Sequence, residues 1–234
     1  MKSPPMTARD RLIVALDFPT PAKALALVSV LSGSVSIYKI GLQLYTAAGP
    51  AIVQAVAATG AKIFLDLKLH DIPNTVAKAV AAAGELGVQM LTVHLSGGGA
   101  MLKAAIGATP PHLSLLGVTV LTSATQETLS EIGVSSKLED QVLRLADLGK
   151  QSGIDGLITS PREVRLLRER CGNDMILITP GIRPAWAAPD DQKRVTTPSE
   201  AVKAGADYLV IGRPITAAAD PPAAVERLVE EMAV

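Results

Sequence analysis

The chain has 234 residues, of which 48% are apolar, with Lys+Arg and Asp+Glu both at 22 and a single cysteine. That length supports one large core, and a single domain over residues 1–234 is the expectation. The balanced charge, with no basic stripe interleaved by aromatics, leaves a nucleic-acid face nothing to stand on and points to a small-molecule partner.

In chain order, the opening "MKSPPMTARD" lacks the apolar stretch of a secretory signal. A rhythm then repeats: a short apolar run, a turn, and an amphipathic alanine-rich segment. The candidate strands are "LIVALD" (Leu12–Asp17), "SIYKIG" (Ser36–Gly41), "KIFLDLK" (Lys62–Lys68), "MLTVHL" (Met90–Leu95), "LLGVTVLT" (Leu115–Thr122), "GLIT" (Gly156–Thr159), "MILITPG" (Met175–Gly181) and "YLVIGR" (Tyr208–Arg213). The uncharged stretch Ile40–Ala61 is long enough to raise a membrane span. Its Gln43, Gly49-Pro50, Gln54 and Gly60 instead suit a strand end followed by a packed helix. No membrane segment is expected, and the lone Cys171, which has no internal partner, fits an inert thiol in a reducing cytoplasmic setting.

Helix signals fill the gaps. Ser160-Pro161-Arg162-Glu163 and Thr197-Pro198-Ser199-Glu200 each read as N-cap, proline at the first helical position and capping-box glutamate. Gly60, Gly87 and Gly153 sit where helices should stop. Eight βα units without a low-complexity linker predict an α/β fold closed into a parallel (β/α)8 TIM barrel. An open doubly wound sheet is the alternative, but "DFPTP" after the first strand is not a dinucleotide glycine fingerprint.

Barrel sites lie at the C-terminal ends of the strands, and the charges fall there. Asp17 ends the first strand, Lys39 nears the end of the second, Asp66 and Lys68 end the third, Thr122 the fifth and Arg213 the eighth. In the third strand the period of two puts Phe64, Asp66 and Lys68 on the barrel's inner face, and Ile63, Leu65, Leu67 and Leu69 under the helices. Any one such charge could be a solvated end or a structural ion pair. Clustered, they require partners, for which Lys39 and Asp71 are the candidates, and the array could hold a lysine as proton donor beside a carboxylate. "TPGIRP" (Thr179–Pro184) and "IGRPI" (Ile211–Ile215) add glycine amides and two arginines in the loops where barrels commonly take phosphate. His70, His94 and His112 show no metal-ligand spacing, so no metal is expected.

From "VALD" through "YKIG", "DLKLHDIPNT", "TVHLSGG", "VTVLTS", "TPGIRP" and "DDQKRVTTP" to "VIGRPI", the chain resembles the orotidine 5'-phosphate decarboxylase family of the short bacterial type. The resemblance implies decarboxylation of orotidine 5'-monophosphate to UMP and CO2 without metal or organic cofactor. It also implies Lys68 as proton donor to C6, with Asp66, Lys39 and Asp71 completing the charged network. Asp17 and Lys39 would meet the ribose hydroxyls and Thr122 the pyrimidine edge. Gln192 would bridge phosphate and base, while Arg183, Gly212 and Arg213 would grip the phosphate. Asp71 and Thr75 would reach the neighbouring subunit's site, making a homodimer with shared active sites. The long segment Pro180–Thr197, which carries the only tryptophan, Trp186, reads as a lid over the phosphate.

Two other functions compete. A sugar-phosphate enzyme using magnesium and an enediolate shares an Asp-x-Lys-x-x-Asp third strand, but "DIPNT" and Gln192 speak against it. A non-catalytic nucleotide-binding barrel would have no use for the intact Asp66, Lys68 and Asp71 set.

Overall fold

The computed structural model describes residues 6–187 and 196–233. Eight parallel strands close into a barrel in sequence order: Leu12–Ala15 (β1), Ile37–Gly41 (β2), Lys62–Leu69 (β3), Met90–His94 (β4), Ser114–Val118 (β5), Gly156–Ile158 (β6), Ile176–Thr179 (β7) and Tyr208–Ile211 (β8), with β8 pairing back to β1. All eight predicted strands are present. The fifth is the least well bounded, because it ends four residues before Thr122, which lies in a turn.

The helices are Pro21–Val30 (α1), Leu42–Ala48 (α2), Pro50–Ala57 (α3), Pro73–Glu85 (α4), Gly98–Gly107 (α5), Gln126–Glu131 (α6), Leu138–Ser152 (α7), Val164–Cys171 (α8), Pro198–Ala204 (α9), Arg213–Thr216 (α10) and Pro221–Met232 (α11). Both expected capping boxes form; the one at Thr197 opens α9, and the one at Ser160 opens a 3-10 turn leading into α8. Proline also stands at the start of α1, α3, α4 and α11, where its fixed φ suits the helix and its missing N–H costs nothing. The stretch after β2 differs from the expectation of one helix. Gly49, at φ +61, breaks it into α2 and α3, a turn that a residue with a Cβ would adopt only under strain. No helix of the described residues is long and apolar enough to cross a membrane.

Alternation along the strands sorts the core into two layers. Ile13, Ile37, Phe64, Met90, Leu116, Ile158, Ile178 and Val210 fill the barrel interior. Their outward neighbours, among them Val14, Tyr38, Leu65, Leu91, Leu115, Leu157, Leu177 and Leu209, pack beneath the helices. Each such buried aliphatic side chain contributes roughly 1.5–3 kcal/mol relative to exposure. Leu67 and Leu69 join the outer layer although only half-buried, so the predicted facing of β3 holds.

One irregularity interrupts this plan. Leu65 pairs with Leu91 and Leu69 with Val93, so β3 advances four residues while β4 advances two. Asp66, Leu67 and Lys68 therefore face Thr92 alone. Lys68 sits within the bulge at φ +51, the single non-glycine residue with positive φ among those described. Such a conformation costs on the order of 1–3 kcal/mol and persists only where its surroundings impose it.

Candidate active site

The sequence ends the apolar part of β3 at Leu65 and places the first charge one position later, so Asp66 caps the interior core above Phe64 while remaining buried. Its carboxylate is enclosed by donors. Lys68 Nζ lies 2.8 Å and Lys39 Nζ 3.6 Å from Oδ2, and the Thr92 hydroxyl donates to Oδ1 at 2.9 Å. Lys39 Nζ also donates to Asp17 Oδ1 at 3.1 Å, so it links the exposed carboxylate after β1 to the buried one on β3. Two ammoniums and two carboxylates thus form one array of zero net charge.

Burial alone would push the Asp66 carboxyl up. The charges of Lys39 and Lys68, with hydrogen bonds from Lys68 and Thr92, reverse this and hold it below the usual carboxylate range. An ion pair this poorly solvated needs every oxygen satisfied to repay its desolvation, and here both are. His94, half-buried at the end of β4, has its ring 5.5 Å from that of His70. Burial, followed by the nearby His70 and Lys68, lowers its pKa against the opposing pull of Asp66, which favours the neutral imidazole beside the array.

The four charged side chains of the array line a cavity of about 470 Å³ at the C-terminal end of the barrel, within the range typical of small-ligand sites. Asp17, Lys39, Asp66, Lys68 and Thr122 meet there with Gly181 and Arg183 from the loop after β7 and with Gly212, Arg213 and Thr216 after β8. Ala15, Ile158 and Val210 give it an apolar floor. The segment after β7 is tied at both ends: Ile182 bridges to Thr196, Arg183 N–H donates to the Thr196 carbonyl, and Arg227 lies 4.2 Å over the Trp186 ring.

The structure gathers most of the predicted residues but not all. Asp71 and Thr75 lie outside the cavity, exposed at the entry to α4, where an Asp71 carboxylate oxygen accepts from the Ile72 N–H. Of the two partners expected for the Asp66/Lys68 pair, Lys39 is in place and Asp71 is not, because the chain turns away after β3 to start α4. Gln192 lies outside the described residues.

Two participants were missed in the sequence. Thr92 gives a usable signal, as a polar residue between Leu91 and Val93 on the inward face of β4, two positions before His94. Gly41 matters for a reason visible only in three dimensions: a Cβ there would lie 2.8 Å from Lys39 Nζ and 3.2 Å from Asp17 Oδ1, in the space where that pair meets. Among the described residues no group of three or more His, Cys, Asp or Glu could hold a metal ion.

Comparison with known proteins agrees with this geometry. A family model described as "Orotidine 5'-phosphate decarboxylase / HUMPS family" matches residues 10–228. Proteins named orotidine 5'-phosphate decarboxylase from Syntrophotalea carbinolica and Trichlorobacter lovleyi are 50% and 49% identical, over 97% and 96% of this chain and 96% of each relative. The crystal structure of orotidine 5'-phosphate decarboxylase from Lactobacillus acidophilus superimposes with a TM-score of 0.84 at 40% identity, covering 95% of this chain and 99% of that one. A closed parallel barrel, an alternating Asp/Lys array on its third strand and near-complete relatives of one description lead to one assignment: the chain belongs to the orotidine 5'-phosphate decarboxylase / HUMPS family.

Proposed function

We propose that the protein is a single-domain, cytoplasmic enzyme that removes the C6 carboxylate of orotidine 5'-monophosphate, giving UMP and CO2, without metal or organic cofactor. The observation that carries this reading is that an ammonium held against a buried carboxylate, Lys68 on Asp66 at 2.8 Å, shares one cavity with two arginine loops suited to phosphate. The names of the near-full-length relatives support the same substrate.

The chemistry explains the array. As the C6–carboxylate bond breaks, its electron pair stays in an in-plane orbital at C6 that the ring delocalises poorly, so a cation already in place at that carbon lowers the barrier. Lys68 stabilises the developing carbanion and then gives it a proton from Nζ, and solvent restores the ammonium. Asp66 stands beside the departing carboxylate, where repulsion raises the ground state; this contributes less than stabilisation of the transition state. Asp17 and Lys39 take the ribose hydroxyls and Thr122 the pyrimidine edge. Arg183, Gly212 and Arg213 grip the phosphate, and Gln192 spans phosphate and base. Binding energy at the phosphate, remote from the reacting carbon, then helps to hold the carboxylate against Asp66.

The reading includes a homodimer in which Asp71 and Thr75 complete the neighbour's site. Supporting it are the exposure of both residues and three exposed apolar side chains on segments that follow strands at the catalytic end: Leu42 after β2, Ile72 (65% exposed) after β3 and Leu121 after β5. The test is to run the reaction in heavy water. Deuterium at C6 of the product UMP is expected, and a product without it, or no UMP at all, overturns the reading.

A further inference from the structure

We propose that Thr92 is a positioning residue of the decarboxylation, whose single hydroxyl aligns both members of the Asp66–Lys68 pair. This rests on the catalytic roles proposed above. Thr92 is wholly buried on β4, and its Oγ1 makes two bonds of opposite sense: it accepts the Lys68 backbone N–H at 2.8 Å and donates to Asp66 Oδ1 at 2.9 Å. The direction is forced, because a peptide N–H can only donate and a carboxylate can only accept.

The two bonds act on different parts of the pair. The bond from Lys68 N–H secures the bulge, in which three residues of β3 face this one residue of β4 and Lys68 takes φ +51. That backbone turn sets where the Lys68 side chain leaves the strand. The bond to Oδ1 fixes the carboxylate plane, leaving Oδ2 to meet Lys68 Nζ and Lys39 Nζ. Asp66 thus faces Lys39 from β2, Lys68 from its own strand and Thr92 from β4, with half-buried His94 nearby on β4. Without the hydroxyl, a part-buried peptide N–H and a buried carboxylate oxygen both lose this partner.

The experiment compares parent, Thr92→Val, which keeps the shape and loses the hydroxyl, and Thr92→Ser, which restores it. Thr92→Ala replaces the valine variant if that one does not fold. Expected is a fall in kcat of about 10- to 100-fold for Thr92→Val, since small misplacements of reacting groups cost on that order. KM and the Kd of UMP should stay within about three-fold of the parent, because ground-state binding is untouched. Thr92→Ser should regain most of kcat. An unimpaired kcat in Thr92→Val, or an equal loss in Thr92→Ser, overturns the assignment. A carbon-13 titration of the Asp66 carboxyl keeps this separate from the proposed activity. Even if the parent were inactive on orotidine 5'-monophosphate, the Asp66 titration moving to higher pH in Thr92→Val upholds the alignment, and an unmoved titration refutes it.

Discussion

Arg213 leaves the end of β8 into the same cavity that Lys68 enters from β3, and their work is separable. An arginine on a phosphate makes charge-assisted bonds whose loss costs roughly 1.5–3 kcal/mol. Arg213→Ala should therefore lower kcat/KM for orotidine 5'-monophosphate by about 10- to 100-fold and leave the slow reaction of phosphate-free orotidine nearly unchanged; equal losses on both would remove Arg213 from the phosphate site. Asp66 makes a different prediction. Its native carboxyl is held below the ordinary value of 3.8, so near that pH the unfolded chain binds more protons than the folded one. The stability this provides is complete well above 3.8 and drains away as pH falls through the native value. In urea unfolding, the advantage of the parent over Asp66→Asn should shrink between pH 6 and pH 3, and a constant difference would contradict the array as described. The sequence showed Asp17, Lys39, Asp66, Lys68 and Arg213 because charge at a strand end is conspicuous, and Arg183 because it follows Gly181 in the loop after β7. It hid Gly41, whose role is to leave room, and it showed Thr92 only as a polar residue on a strand, because the bulge that gives that residue two partners is contained in no period of two.

At the scale of elements, the strands were legible because each is a nearly unbroken apolar run, buried on both faces in a closed parallel barrel. The helix starts were legible because Ser-Pro-x-Glu and Thr-Pro-x-Glu place cap, proline and glutamate in fixed order. Boundaries at the catalytic end were less so. "TVLT" after β5 has the composition of a strand, yet the chain leaves the sheet at Thr119, whose N–H and hydroxyl both still reach the Ile158 carbonyl. Close packing between neighbouring strands is likewise silent in composition. At Gly156 on β6 a Cβ would lie 2.5 Å from the Ile176 carbonyl oxygen and 2.7 Å from Ile176 Cβ, so backbone rather than a flexible tip would have to move. Gly156→Ala should cost about 1–3 kcal/mol of stability, the usual range for overpacking a tight site, while kcat per folded molecule changes little. Thermal or urea unfolding checks the first part, and an unchanged midpoint would mean that β6 and β7 are less tightly apposed than the structure indicates.

For the whole molecule, the barrel explains why a charged array can exist at all: interior side chains form a dry floor, and eight strand ends deliver polar groups to one rim. Asp71 and Thr75 lie outside the cavity of their own chain, and the proposed homodimer gives them a place in a second copy's site. In a shared-site dimer, mixing Lys68→Ala with Asp71→Ala chains rebuilds one intact site per hybrid. Random pairing of equal amounts should then restore about a quarter of the parent activity, since half the dimers are hybrids with one of two sites intact. No recovery above either variant alone would show that each chain works with its own residues. Cofactor-free decarboxylation through Lys68 is decided by the ultraviolet absorbance of orotidine 5'-monophosphate mixed with purified protein in excess EDTA, beside Lys68→Ala. Rapid loss of the orotate chromophore with UMP as product is expected, and no measurable loss with folded Lys68→Ala. An unchanged chromophore with the parent, and turnover of a sugar phosphate once magnesium is added, would contradict cofactor-free decarboxylation and give Asp66 and Lys68 to enediolate chemistry instead.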